Sequence, residues 1–153
     1  MRSVGNKNIS ITTAVLLLGM VTGAWSQPST PGKHTSDTDA KAVQAIFSEI
    51  QEGINSSDVG LFSGYLVKQV SLTVTGNETG VYSATQAKLI LQDFLSLRKF
   101  SGFKFTTMNL RGTIRYATGG GYYMVKGNSY RFQIYVSLWP SGGRWFISQF
   151  NVY

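Results

Sequence analysis

Cysteine is absent from this sequence of 153 residues, and histidine occurs only once, as His34. The lack of cysteine excludes a disulfide framework, a thiol nucleophile and the cysteine type of zinc site. A lone histidine and scattered carboxylates also give no cluster of ligands at the spacing that zinc or calcium needs. We therefore expect no metal site and no cofactor, and a core that is held together by packing.

Acidic residues are absent after Asp93, so the C-terminal part of the chain has no carboxylate side chain. General acid–base catalysis needs a group whose pKa can be tuned near the working pH, usually a histidine or a buried carboxylate. Two earlier carboxylates have simpler interpretations, Asp58 as a helix cap and Glu78 as a turn residue. We therefore predict no catalytic residue, and a role of Asp58 or Glu78 as a base is the alternative.

Positive charge is concentrated in this same region, and the whole chain has a formal net charge of +7. The basic residues that follow Asp93 are Arg98, Lys99, Lys104, Arg111, Arg115, Lys126, Arg131 and Arg144. Among them, Lys104, Arg115 and Arg131 form the candidate basic surface. Such residues keep exposed strands soluble and discourage edge pairing, or they bind an anionic partner. We favour the first interpretation and keep a module for anionic polymers as an alternative.

The first 26 residues have the three parts of a secretory signal peptide. Arg2 and Lys7 supply the positive charge, an apolar leucine-rich run covers residues 9–21, and Ala24 and Ser26 are the small residues of the cleavage site. The apolar run is too short and too interrupted by threonine for a membrane span, which needs about 20 apolar residues. We expect cleavage after Ser26, export to the periplasm or out of the cell, and no stable membrane span in the mature chain.

A polar stretch with two prolines at residues 27–38 predicts a flexible leader, and a single domain then covers residues 39–153. Three helical patterns occupy the first part of this domain. The apolar stripe of the first comprises Val43, Ile46, Phe47, Ile50 and Ile54, and that of the short second comprises Leu61, Phe62, Tyr65 and Leu66. The third begins with a capping box formed by Ser83 and Gln86.

Strand patterns dominate the rest of the domain. Predicted strands cover residues 70–75, 103–106, 113–116, 122–126, 130–138 and 145–153. In the clearest of them, Phe132, Ile134 and Val136 alternate with polar residues, so we predict that they face the helices. Gly127-Asn128 has hairpin spacing between two of the strands. The order of elements predicts an α+β fold, with a curved antiparallel sheet of five to six strands and the three helices packed on its concave face.

This order resembles the nuclear transport factor 2-like (NTF2-like, cystatin-like) superfamily over residues 39–153. Three segments carry a closer resemblance: S-D-V-G-L-F-S-G-Y-L at 57–66, V-Y-S-A-T-Q-A at 81–87, and Y-R-F-Q-I-Y-V at 130–136 followed by G-R-W-F-I at 143–147. They are similar to a small secreted bacterial family, domain of unknown function 4783, which has no established activity. The superfamily resemblance implies a cone-shaped cavity, and its members include isomerases and dehydratases that use an acidic base with tyrosine or histidine partners.

Together these features predict an exported binding or assembly module without catalytic machinery. Its partner is an unidentified small ligand or protein, held in the cone or on the exposed sheet face, where a homodimer could also form. The candidate residues lining the cone are Tyr65, Tyr116, Phe132 and Ile134. Aromatic strands interleaved with Lys and Arg formally suit single-stranded nucleic acid, but export removes that ligand and we do not expect it. The alternative function is an acid–base enzyme of the isomerase or dehydratase type on the same fold.

Overall fold

The computed structural model describes residues 34–74 and 78–153, and the side chains of residues 37–74 and 79–153. Within these ranges the helices are α1 (His34–Ser56), α2 (Gly60–Ser63) and α3 (Ala84–Ser96). The strands are β1 (Leu66–Val74), β2 (Glu78–Ser83), β3 (Lys99–Asn109), β4 (Arg115–Val125), β5 (Asn128–Ser141) and β6 (Arg144–Val152). The predicted signal peptide and residues 27–33 of the predicted leader lie outside the described residues.

Helix α1 begins at His34 rather than at the predicted Asp39, so the end of the expected leader is helical. Residues 34–38 contain no proline or glycine, and Asp37 places a negative charge in the first turn, where the helix dipole favours it. The predicted apolar stripe is confirmed, because Val43, Ile46, Phe47, Ile50 and Ile54 are all at most 5% exposed. The stripe fixes which side of α1 faces the sheet.

Helix α3 begins with the predicted capping box. The hydroxyl of Ser83 accepts a hydrogen bond from the backbone N–H of Gln86 at 3.3 Å, and the side chain of Gln86 accepts one from the backbone N–H of Ser83 at 3.1 Å. These two bonds satisfy donors that the first turn of a helix leaves open. No helix in the described part of the chain is long and apolar enough to cross a membrane.

The six strands form one sheet in the order β2-β1-β6-β5-β4-β3. Four of the pairings are antiparallel, and the pairing of β1 with β6 is parallel. The α+β class with helices against a curved sheet is confirmed, whereas the expectation of a wholly antiparallel sheet needs this one correction. Alternation within a single strand carries no information on the direction of its neighbour, and β1 and β6 are distant in sequence.

Two tight hairpins connect β4 to β5 and β5 to β6. Lys126 and Gly127 have φ angles of 49° and 82°, and Gly142 and Gly143 have φ angles of 55° and 74°. Positive φ at both central residues is the geometry that matches the twist of the flanking strands. The first turn lies one residue before the predicted Gly127-Asn128, since Val125 pairs with Asn128.

The inner face of the sheet, which we define as the face toward the helices, is packed with phenylalanine rings. Phe132 lies edge-on to Phe100 at 5.1 Å between ring centroids and is stacked on Phe103 at 5.6 Å. Phe105 continues this packing to Phe47 of α1 at 5.5 Å. The predicted inward direction of Phe132, Ile134 and Val136 is confirmed, with exposures of 3%, 1% and 0%. Aromatic rings therefore occupy the middle of the region where the resemblance implied a cavity.

Candidate functional site

The opposite, outer face of the sheet carries a groove of about 630 Å³ across β3, β4 and β5. We call it the outer groove. Its lining combines aromatic, amide, hydroxyl and guanidinium groups with bare backbone: Gly102, Thr106, Thr118, Gly119, Gly120, Gly121, Tyr122, Arg131, Phe132, Gln133, Ile134, Tyr135 and Tyr153. No described side chain of the six strands is a carboxylate. The groove thus has a polar and aromatic surface, and its charged side chain is that of Arg131.

Three consecutive glycines in β4 make the floor of the outer groove. A Cβ atom at Gly119 would overlap the backbone carbonyl of Lys104, and one at Gly121 would lie 2.9 Å from the Cα of Phe103. Gly119 and Gly121 therefore allow β3 to approach β4 closely on the inner side. A Cβ atom at Gly120 would point to the outer face instead, where it would lie 3.1 Å from the carbonyl oxygen of Phe132. The missing side chain of Gly120 leaves backbone open to a ligand.

Tyrosine rings frame this floor. Tyr135 is stacked on Tyr116 at 5.9 Å between centroids, and the guanidinium of Arg131 lies 6.0 Å from the ring centre of Tyr122. At the end of β6, the hydroxyl of Tyr153 accepts a hydrogen bond from the Nδ2 of Asn151 at 3.0 Å. These contacts hold the rings in place before any ligand arrives.

The structure separates the residues that we predicted to line the cone. The expectation for Tyr116 was wrong: its side chain is on the outer face beside Tyr135, because Ala117 and Gly119 are the β4 residues that face inward. Phe132 and Ile134 are among the residues that line the outer groove, but their side chains point the other way and are buried in the core. Tyr65 lies elsewhere, in a separate cleft. The sequence signal for the outer groove was the Gly119–Gly121 run, which reads equally well as a bend.

The candidate basic surface is also divided. Lys104 and Arg131 are exposed, and alternation along their strands places both on the outer face. Arg115 was placed wrongly, since its side chain is only 6% exposed on the inner face. Its guanidinium carbon lies 3.9 Å from the centre of the Trp145 ring, and its Nη2 lies 3.6 Å from the carboxylate of Asp39. An aromatic face and a helix carboxylate together allow this cation to lie inside.

A second cleft, which we call the rim cleft, lies between α1 and the β5–β6 hairpin. It has a volume of about 410 Å³ and is lined by Thr38, Asp39, Ala42, Ala45, Ile46, Tyr65, Gly143, Arg144 and Trp145. Burial raises the pKa of Tyr65 above its usual 10.0, and a hydrogen bond to Glu49 together with that carboxylate's charge raises it further, against a lowering by Arg144. This half-buried carboxylate on α1 was not among the candidates found in the sequence.

The carboxylates considered as bases have structural contacts or lie outside the described side chains. The Oδ1 of Asp58 accepts a hydrogen bond from the backbone N–H of Gly60 at 2.8 Å, which is a turn contact. The expected role of Asp58 as the helix cap is wrong, since Val59 occupies the cap position of α2 and makes no side-chain cap hydrogen bond. The side chain of Glu78 is outside the described residues. Among the side chains that are described, no three histidine or carboxylate groups lie together as metal ligands could.

Comparison with known families now adds the identity of the domain. The family model described as "Domain of unknown function (DUF4783)" matches residues 47–152, most of the chain. The chain belongs to the DUF4783 family. The resemblance drawn from the three sequence segments is thereby confirmed. No curated protein matches this chain.

Solved structures support the same fold for this DUF4783 protein. A DUF4783 family protein from Bacteroides ovatus ATCC 8483 superposes with a TM-score of 0.60 at 18% identity, covering 69% of this chain and 91% of that one. An NTF2-like protein from Anabaena variabilis ATCC 29413 gives 0.60 at 17% identity, covering 78% and 91%. A ketosteroid isomerase-like protein from Erwinia carotovora atroseptica SCRI1043 gives 0.61 at 11% identity, covering 74% and 94%. At these identities the likeness shows the NTF2-like fold and no activity.

Proposed function

We propose that this DUF4783 protein is an exported, non-catalytic binding module that holds a segment of a protein partner in the outer groove. The observation that carries the proposal is a contrast between the two faces of the sheet. Aromatic rings pack the inner face, whereas the outer face has a groove with accessible backbone framed by Tyr122, Arg131 and Tyr135. Tyrosine and arginine are enriched at the centres of protein interfaces relative to the rest of the protein surface.

The chemistry of the outer groove favours a partner segment with acidic side chains. Arg131 lines the groove and is exposed, and no described strand side chain offers a compensating carboxylate. Complementary charge fixes the register of a partner and excludes wrong ones. The rigid rings of Tyr122 and Tyr135 add contact area at low cost in conformational entropy, and hydroxyl and amide groups such as Gln133 supply adaptable hydrogen bonds.

The proposal that the protein is not a catalyst is supported by the acid–base groups at the rim cleft. An acid–base enzyme would have its best pair in Tyr65 and Glu49, which are hydrogen-bonded to each other. The raised pKa of Tyr65 makes it a weaker proton donor near neutral pH, opposite to the tuning that such catalysis needs. Turnover of any small molecule by the protein, lost in Glu49→Gln, would favour the enzyme instead.

Selection of displayed peptides on the full-length protein tests the proposed binding. Peptides enriched on the wild type should contain acidic residues, and their affinity should fall about tenfold or more in Arg131→Glu, which reverses a charge in the outer groove. Lys88→Glu is the matched control, because Lys88 is exposed on α3, away from the sheet's outer face. Its peptide affinity should equal that of the wild type.

Three results would overturn the proposed binding. One is the absence of any enriched peptide, and another is enriched peptides that bind Arg131→Glu as tightly as the wild type. The third is displacement of the peptides by heparin at comparable affinity, since that would show an anionic-polymer module with no preference for protein. Charge-driven polymer binding of that kind falls steeply with salt.

Export has its own test. The positive start, apolar run and Ala24-Trp25-Ser26 site motivate cleavage after Ser26. The protein recovered from its native host should have the intact mass of residues 27–153, and it should be found outside the cytoplasmic fraction. A full-length mass in the membrane fraction would contradict cleavage.

A further inference from the structure

The side chain of Arg115 has more hydrogen-bonding capacity than the structure uses. Its Nε donates to the carbonyl oxygen of Gly112 at 3.3 Å, and its Nη1 is buried without a hydrogen-bond partner among the described residues. Nη2 lies 3.6 Å from Asp39, which is an ion pair but too long for a good hydrogen bond. Buried charges in proteins are normally both paired and hydrogen-bonded. This one is paired only loosely.

The groups that hold Arg115 also form the wall of the rim cleft. Asp39 and Trp145 both line the cleft, and they are the ion-pair partner and the stacked ring of the guanidinium. The Asp39 side chain is 43% exposed, whereas that of Arg115 is 6% exposed. The carboxylate therefore lies between solvent and the buried cation, and displacing it would expose the planar edge of the guanidinium to the cleft.

We propose that the rim cleft is a binding site for a small organic carboxylate with an apolar body, whose carboxylate replaces Asp39 on Arg115. A guanidinium matches a carboxylate through two parallel N–H···O bonds, which Asp39 does not make at its present distance. The apolar body would lie on Ala42, Ala45 and Ile46 of α1 and on the Trp145 ring. Arg144 also lines the cleft and adds a second positive charge that attracts an anion.

This site is independent of the outer groove, because it lies on the other face of the sheet and shares no lining residue with it. Either proposal can fail without the other. In the rim cleft, Asp39 acts as an internal competitor for Arg115. Removing its charge should therefore strengthen binding, a direction that simple damage to the fold would not produce.

Fluorine NMR of the full chain labelled with 5-fluorotryptophan provides the test, with benzoate as the probe and neutral benzamide as its control. Benzoate should shift the Trp145 resonance saturably and leave Trp139 unmoved, since Trp139 is 50% exposed and is not among the lining residues. Asp39→Asn should tighten benzoate binding about threefold or more. Arg115→Lys keeps the positive charge but loses the two parallel N–H donors of the guanidinium, so it should weaken benzoate binding about tenfold.

Asp37→Asn is the matched control, because Asp37 is also on α1 but pairs with the exposed Arg111. Its affinity for benzoate should equal that of the wild type. Unchanged or weaker binding in Asp39→Asn would overturn the proposal, as would full affinity in Arg115→Lys or an equal response to benzamide. Inorganic phosphate that binds as tightly as benzoate would also overturn the assignment of a carboxylate with an apolar body. Because Asp39→Asn tests the site without altering the buried arginine, an unfolded Arg115 variant would not prevent a decision.

Discussion

The two faces of β5 differ in burial from one residue to the next. Phe132, Ile134 and Val136 point inward and are at most 3% exposed, whereas Gln133 lies between them on the outer face and is exposed. Neighbouring residues of one strand thus have different environments, the packed core on one side and solvent on the other. If the proposed function is correct, residue parity along the strand separates stability from binding in this domain.

The largest expected effect is at the centre of the inner face. Phe132→Ala should lower the free energy of unfolding by about 3–5 kcal/mol, because it removes a ring that contacts Phe100, Phe103 and Tyr123 and leaves a cavity. Gln133→Ala, one residue along and exposed, should change it by less than about 0.5 kcal/mol. Urea unfolding of both variants measures the difference. The reverse order would mean that the two faces have been confused.

The glycine floor gives a smaller contrast of the same kind. Gly119→Ala should destabilise by about 1–3 kcal/mol, because its Cβ would overlap the backbone of Lys104 and push β3 away from β4. Gly120→Ala should cost less, about 1 kcal/mol, since its Cβ would point outward and lie 3.1 Å from the carbonyl oxygen of Phe132, a tight contact that a small shift relieves. Thermal unfolding can rank the two variants. Equal losses of stability would show that Gly120 is needed for the fold. That result would contradict the expectation that Gly120 only keeps the floor of the groove open.

Much of this arrangement could be predicted from the sequence, because burial of apolar side chains dictates it. The stripe of α1, the capping box at Ser83 and the inward direction of Phe132 all follow from local patterns, and the structure confirms them. Such patterns depend on neighbours in the chain, which a single sequence displays directly. The fold class followed from the order of elements.

The candidate sites were predicted less well, because they depend on contacts between residues distant in sequence. Arg115 looks like an outward residue in its own strand, and only Asp39 on α1 with Trp145 on β6 makes its burial possible. Tyr116 was assigned inward by the same local reasoning. The parallel pairing of β1 with β6 and the depth of the outer groove likewise arise from tertiary packing, which no spacing rule reports.

The smallest effect concerns Tyr65, which lines the rim cleft beside α1. Since the pKa of Tyr65 in the folded protein is raised above 10.0, its contribution to stability is complete below that pH and is lost as pH rises through the folded pKa. Glu49→Gln should lower the pKa of Tyr65, because it removes a negative charge. The titration of Tyr65 can be followed by NMR of the labelled tyrosine ring carbon. Glu52→Gln, on the exposed side of α1, is the control and should leave the titration of Tyr65 unchanged. An unaltered titration in Glu49→Gln would contradict the contact.

The most direct measurement of the central claim combines stability and binding in one variant of the outer groove. In Tyr122→Ser/Arg131→Ser/Tyr135→Ser, the free energy of unfolding should change by no more than about 1–2 kcal/mol, because the replaced side chains lie outside the core. Affinity for the peptides selected on the wild type should be lost in the same protein. Peptide binding that survives in a stable triple variant would contradict the account, because it would place the binding surface elsewhere.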